Sequence, residues 1–313
     1  MKIFMTGGTG FIGSAIAKKA KFDKHEVTIL CRSRSSCIKL ESQGYKTVTG
    51  VMEEPESWID EASQADALIH AAQLRPGKRL SNSWLKKCYL ARNTALEGLV
   101  AAAKKGKKCT ALIYTSGIVA HGGGHRDAWI DESTVPTKNP LGEYHLEGEE
   151  IIHNAVKNGV PALAIRPGMV YGNAGTFATF FLTVAAKGKF QFPSDGNNFL
   201  PFVHADDLAE AYMLAIENPP IGKVISVVEN APITMKEVAE LLLEQFDGGK
   251  AQSVPAWLVS LFAGKSLAKM LVGSYRVKNN LAKELLGWEP KRSSFVSGLP
   301  DVVNEYTASL SRS

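Results

Sequence analysis

The chain opens on KIFMTGGTGFIGSAIAKKA, residues 2–20, in which an apolar run meets a glycine-rich turn and then a helical pattern. Glycines at 7, 10 and 13 allow a tight turn and let the backbone approach a bound group, while a helix starting near Phe11 aims its positive N-terminal end at the same spot. A strand, turn and helix in this order commit the chain to an open α/β sheet. They also make the pyrophosphate of a dinucleotide the expected ligand of the turn, with Gly7, Thr9, Gly10, Phe11, Ile12 and Gly13 as its contacts.

The rest of the chain keeps that rhythm. Apolar runs EVTILC (26–31), KTVTG (46–50), DALIHAA (66–72), TALIYTS (110–116), PALAIRP (161–167) and KVISVV (223–228) alternate with helical patterns, the clearest over 82–104, 141–157 and 205–217. This predicts a Rossmann-type, doubly wound parallel sheet with helices on both faces. The loops at 121–124 and 193–201 are rich in glycine and proline and punctuate the chain without cutting it into separate domains.

Composition narrows the function classes. With 313 residues, 45% of them hydrophobic and 21% charged, the chain can bury a full core. A net charge of +5 is modest, and Lys104, Lys105, Lys107 and Lys108 around Gly106 read as the solvated end of a helix with a glycine stop, so no nucleic-acid partner is expected. Cysteines at 31, 37, 88 and 109 show neither C-x-x-C pairing nor zinc-ligand spacing, which predicts no metal and reduced thiols in a cytoplasm. The N-terminus enters a strand at once, without the basic and apolar pattern of a leader. The longest apolar stretch, 254–273, is interrupted by Lys265 and Lys269; it is too broken to span a bilayer and reads as a helix packing on its own protein, so no membrane partner is expected.

The end of the second strand bears on the choice of cofactor. NAD usually meets an Asp or Glu there, whereas this chain has CRSRSS, with Arg32 nineteen residues after Gly13, then Ser33 and Arg34. A guanidinium suits a 2′-phosphate through paired, charge-assisted hydrogen bonds, so NADP(H) is the expected cofactor.

These residues, together with TGGTGFIG (6–13), LIYTSGIVAHG (112–122), IRPGMVYG (165–172), FVHADDLAEAYMLAIENP (202–219) and AKELLGWEP (282–290), give the chain a resemblance to the extended short-chain dehydrogenase/reductases, also grouped as the NAD-dependent epimerase/dehydratase family. The resemblance covers nearly the whole chain. It implies an NADP-binding Rossmann domain over 1–172, completed by about 201–228, and a smaller substrate-binding lobe from 173–200 and 229–313. It further implies cofactor contacts from Ala71, Ala72 and Gln73 after the fourth strand, from Thr115 and His145, and from Pro167, Gly168, Met169 and Val170 beside the nicotinamide. A homodimer is possible, since in this family the helices at 82–104 and 141–157 commonly pair between subunits.

The family's usual chemistry rests on a Ser or Thr after the fifth strand and on Tyr-x-x-x-Lys in the next helix, the tyrosine transferring the proton and the lysine lowering its pKa. The chain departs from that pattern. Laid without a gap over the frequent NPYGRSKLEAE, NPLGEYHLEGE matches Asn139, Pro140, Gly142, Leu146, Glu147 and Glu149, which puts Leu141 at the tyrosine position and His145 at the lysine position. With a small insertion instead, Tyr144 is the catalytic tyrosine and Gly148 replaces the lysine. The ungapped register is preferred, and the lysine is absent in both. YTSG also places Gly117 where the second hydroxyl of the usual TSS stands, after Thr115 and Ser116.

Positions 141, 144, 145 and 148 fall on one helical stripe, so Tyr144 and His145 could both look toward the nicotinamide, with Thr115 and Ser116 as further candidates for proton transfer. Of these, His145 has the free pKa nearest neutrality, about 6.5. HGGGH (121–125) offers neither a third metal ligand at useful spacing nor a G-x-S-x-G elbow and reads as a flexible glycine loop over the site. Two classes of function remain. One is an NADP(H)-dependent oxidoreductase or epimerase acting on a carbonyl or hydroxyl of a small metabolite or nucleotide sugar. The other is an NADP(H)-binding regulator without turnover.

Overall fold

The computed structural model describes residues 1–74, 82–246, 248–263 and 271–311. Seven strands form one sheet: β1 (Lys2–Thr6), β2 (Glu26–Cys31), β3 (Lys46–Thr49), β4 (Ala67–His70), β5 (Ala111–Thr115), β6 (Ala162–Pro167) and β7 (Val224–Val227). Their spatial order is β7-β6-β5-β4-β1-β2-β3 and every neighbouring pair is parallel, so the predicted doubly wound sheet is the one observed. Apart from the edge strand β3, KTVT, the strand runs are mostly apolar because both faces of the sheet are covered.

The helices used below are α1 (Phe11–Phe22), α2 (Arg34–Ser42), α3 (Asn82–Gly106), α4 (Pro140–Lys157), α5 (Ala205–Glu217), α6 (Met235–Glu244) and α7 (Phe295–Leu310). On one face α1 and α5 pack small residues, among them Ala17, Ala20, Ala209 and Ala211, against Ile3, Met5, Ile113 and Ile165. On the other face α3 and α4 bury Ala95, Leu99 and Ile152 against Phe4, Leu68 and Leu112. A third core lies at the carboxyl end of β6 and β7, where Phe177, Phe181, Phe190 and Phe202 meet Val238 and Leu242 of α6 and Phe295 and Leu299 of α7.

Two local readings change. Gly106 is not the stop of α3: the left-handed residue after the helix is Lys107, with φ +56. Gly106 is small because Ser63 crosses it, and a Cβ there would lie 1.9 Å from the Ser63 carbonyl oxygen. The apolar stretch at 254–273 begins a short helix, Ala256–Ala263, whose Trp257 and Leu261 face outward at 68% and 63% exposure, so that face is not packed on the protein. Lys265 and Lys269 lie outside the described residues. No helix among the described residues is long and apolar enough to cross a membrane.

Candidate active site

The turn after β1 is shaped by backbone contact. Gly7 has φ +80, and a Cβ on it would lie 2.4 Å from the Ala71 carbonyl carbon, so the turn rests on the chain leaving β4. Gly13 backs onto the same turn, since a Cβ there would lie 2.2 Å from the Gly7 carbonyl oxygen. Gly10 caps α1 without a side-chain hydrogen bond, and the first turn of α1 has no acidic residue. The leading amides are therefore left for an anion, and this cradle fits a dinucleotide pyrophosphate.

Around the cradle, Thr9 and Gln73 are exposed, while Phe11, Ile12, Ala71 and Ala72 are half-buried. The Phe11 ring lies against Gly172 and Gly175, where added Cβ atoms would each come within 2.8 Å of it, and so joins the glycine turn to the chain leaving β6. At the end of β2, Arg32, Ser33 and Arg34 are all exposed. Ser33 caps α2 by accepting from the Ser36 amide at 3.3 Å, and Arg34 reaches Glu41 of its own helix at 3.5 Å. Arg32 has no ion pair among the described residues.

Beyond β6, Pro167 is buried and Gly168, Met169 and Val170 are half-buried. The Gly168 amide donates to Val227 at 3.0 Å and the Met169 amide to Pro201 at 2.6 Å. A Cβ at 168 would lie 2.1 Å from the Pro201 carbonyl oxygen, so only glycine fits between β6 and the chain entering α5.

The corner between β5 and α4 departs most from the sequence reading. Thr115 Oγ1 is 2.6 Å from the Tyr212 hydroxyl, an interaction directed toward α5. The Ser116 hydroxyl donates to Glu149, whose two carboxylate oxygens accept from Arg166 Nε at 2.8 Å and Nη2 at 2.7 Å. Arg166 Nη1 donates in turn to His121 Nε2 at 3.2 Å. All four side chains are buried. This network was missed by the sequence reading, although a charged Arg166 inside the apolar run PALAIRP was its signal, because a buried charge requires a partner.

His121 therefore belongs to the interior. Burial and the neighbouring Arg166 push its pKa down to about 3. Gly122 and Gly123 are left-handed, at φ +85 and +76, and pack against Thr137, Tyr275 and Gly273, so the HGGGH segment is a packed corner and not a free loop over the site.

The stripe expected along α4 divides. The Tyr144 ring turns toward α3, edge-on to Tyr89 at 5.3 Å and under the Arg92 guanidinium at 4.5 Å. Gly148 faces the same way, and a Cβ on it would lie 2.5 Å from the Tyr114 hydroxyl and 2.6 Å from Arg92 Nη1, which leaves no room for a lysine. His145 turns toward β5 instead. A Cβ at Gly117 would lie 3.0 Å from His145 Cε1 and 3.1 Å from Nε2, so the half-buried ring stands against the glycine that replaces the family's hydroxyl. Its protonation also differs from that of a free histidine: burial, then Arg92 and Arg166, push the pKa from 6.5 down to about 3. The ring is neutral near pH 7.

The profile of the NAD dependent epimerase/dehydratase family matches residues 3–227. The chain belongs to this family. Among its relatives is a 4-hydroxy-2-methyl-3-oxo-4-farnesyl-3,4-dihydroquinoline-1-oxide ketoreductase of Stigmatella aurantiaca, 26% identical over 298 residues, covering 92% of this chain and 87% of the relative. In fold the chain is similar to a human epimerase family protein crystallised with NADPH, at TM-score 0.82 and 21% identity over 97% of this chain and 99% of that one. It is equally similar to a UDP-glucose 4-epimerase of Thermotoga maritima crystallised with UDP-glucose, at TM-score 0.82 and 21% identity over 99% of this chain and 100% of that one. The family is described as NAD dependent epimerases and dehydratases, one relative is named a ketoreductase, and the human neighbour was crystallised with NADPH.

Proposed function

We propose that the protein is an NADP(H)-dependent carbonyl reductase in which His145 faces the reacting oxygen in place of the family's tyrosine and lysine. The observation that carries this reading is the contact between the His145 ring and Gly117 at the carboxyl end of β5, where the family usually places a hydroxyl. The ketoreductase relative favours reduction of a ketone over epimerisation. The preference for NADP(H) rests on Arg32, exposed and without an ion pair among the described residues, at the strand end where an NAD-specific chain carries a carboxylate. The substrate lobe is taken to be 173–200 and 229–313.

Each residue has a defined part in this reading. The glycine turn and the leading amides of α1 hold the pyrophosphate, Arg32 the 2′-phosphate, and the Pro167–Val170 segment walls the nicotinamide. NADPH supplies the hydride. As a neutral ring, His145 donates one hydrogen bond to the carbonyl oxygen and orients it, and the proton that completes the alcohol comes from water, because a ring with a pKa of about 3 holds no second proton near pH 7. Ser116 has its proton on Glu149 and so can only accept from a substrate hydroxyl.

The test is NADPH consumption across a broad panel of ketones and oxoacids, with NADH in parallel. Turnover with NADPH on at least one ketone is expected. A second reading, an NADP(H) sensor without turnover, is favoured by the engagement of Thr115, Ser116 and Tyr144 inside the protein. Tight NADPH binding with no turnover on the whole panel would select it.

A further inference from the structure

Arg92 is the least expected residue beside the catalytic corner. It lies in α3, is 1% exposed, and has Glu147 as its nearest carboxylate, 3.7 Å away on a half-exposed side chain. Its Nη2 is buried without a hydrogen-bond partner. Nη1 reaches α4 and β5, donating to the Tyr144 carbonyl and, at 3.3 Å, to the Tyr114 hydroxyl, while Nε donates to Asn93 of its own helix at 2.6 Å. The guanidinium also lies over the Tyr144 ring. Space for it exists only because position 148 has no side chain. A buried cation with so little neutralisation is costly, and a surface cation beside water would serve packing better.

The geometry points to Arg92 as the positioning residue of this corner: lodged under the turn Tyr144–Gly148, it supplies the fixed positive charge that the missing lysine would have provided and aims His145 at Gly117. This rests on the reading of His145 given above. Three features support it. The hydrogen bond to the Tyr144 carbonyl fixes the peptide that leads into His145. The Tyr144 ring, pinned by Arg92, stands edge-on to His145 at 5.0 Å and closes its α3 side. Two cations act on His145, Arg92 from α3 and Arg166 from β6, but Arg166 is held by both oxygens of Glu149, so Arg92 carries the larger uncompensated charge. Burial is the larger cause of the depressed pKa and the arginines add to it, and the result is a neutral imidazole held in place, suited to a directed hydrogen bond.

The experiment is titration of His145 by two-dimensional NMR of ring-labelled protein, its signals assigned from His145→Asn, in the wild type and in Arg92→Met, Arg92→Gln and Arg92→Lys. It needs neither substrate nor turnover, so a failure here is separate from a failure of the reductase reading, which the ketone panel tests. The wild-type ring is expected to stay neutral down to pH 4. Removing the charge in Arg92→Met or Arg92→Gln should raise the His145 pKa by about one unit or more, and Arg92→Lys should return it most of the way, which a purely space-filling role would not do. If Arg92→Met fails to fold, the Gln variant, which keeps donors without charge, gives the same readout. A wild-type pKa above 5.5, or one unchanged in both neutral variants, overturns the proposal.

Discussion

The glycine turn after β1 and the corner after β5 both sit at the carboxyl ends of parallel strands, but they are made of different material. The turn is main chain: Gly7, Gly10 and Gly13 fall within seven residues, and their role is to let backbone touch backbone and leave helix amides free. The corner is side chain: His145, Arg92, Glu149, Arg166 and His121 come from two helices, one strand and the loop after β5. A site of backbone is written in consecutive residues, and at Gly7 and Gly13 it leaves no room for an added Cβ. A site of side chains draws on residues far apart in the chain, as Gly148 and Arg92 do where they pack together.

The sharpest way to break this comparison is at the turn. Gly13→Val puts branched carbon where a single Cβ is already 2.2 Å from the Gly7 carbonyl oxygen, so the turn must move or α1 must shift. NADPH affinity by isothermal titration should fall by about a hundredfold or more, since several phosphate contacts are displaced together, each worth roughly 1.5–3 kcal/mol. A variant that folds and binds within threefold of the wild type would show that the turn does not hold the cofactor.

At the corner the largest effect belongs to one side chain. With a substrate from the ketone panel, His145→Ala should lower kcat about a hundredfold with NADPH affinity little changed, the usual scale for losing one directed hydrogen-bond donor to the reacting oxygen. Tyr144→Phe should change kcat less than threefold, because the ring is turned toward Tyr89 and Arg92. The opposite ranking would restore Tyr144 as the catalytic tyrosine and the gapped register with it.

Legibility in the sequence follows the same division. The seven strands, α1 and the glycine cradle are local patterns, and all could be placed from period and spacing. The ungapped register, too, rests on consecutive residues, and it puts His145 at the lysine position, which the structure places beside Gly117. What could not be read was non-local. Ser116, His121, Glu149 and Arg166 are separated by up to fifty residues along the chain and join only after β5, β6 and α4 pack. Likewise Gly148 reads as a lost lysine until Arg92 and Tyr114 are seen beneath it. A pKa is the least legible property of all, because burial and two distant cations set that of His145.

A smaller effect tests the adenosine end of the cradle. Arg32→Ala should weaken NADPH about tenfold, the loss of one charged contact, and leave NADH within twofold, since NADH lacks the group recognised. Arg34→Ala should do less, because that side chain already leans on Glu41. Equal weakening of both cofactors by Arg32→Ala would remove the argument for NADP(H).

The smallest expected effect is an absence of change, and it bears hardest on the corner. A free histidine acid would give reduction that declines as pH rises through about 6.5. In His145 the folded pKa is depressed to about 3, so the neutral form is present at every pH above that value and is lost only below it. The ring's contribution to kcat should therefore vary less than about twofold between pH 5 and 8. The same shift has a sign in stability. The folded state holds fewer protons on this ring than the unfolded chain, whose histidine titrates near 6.5, so its contribution is complete above pH 6.5 and is lost as pH falls toward 3, and His70 and His121, also depressed to about 3, act in the same direction. Glu229 opposes them, because burial raises its pKa to about 8 and its contribution, complete below about 4.5, is lost as pH rises through 8. His25 and His204 are depressed as well, the latter to about 4, and Asp207 is raised beside Glu229, so depressed histidines outnumber raised carboxyls and predict a melting temperature that drops between pH 6.5 and 4.5 while kcat, measured where the protein remains folded, stays level. An inflection in kcat near pH 6.5 would mean that the ring carries a second proton in the resting enzyme, and the corner would then work as an ordinary acid catalyst and not as a fixed neutral donor.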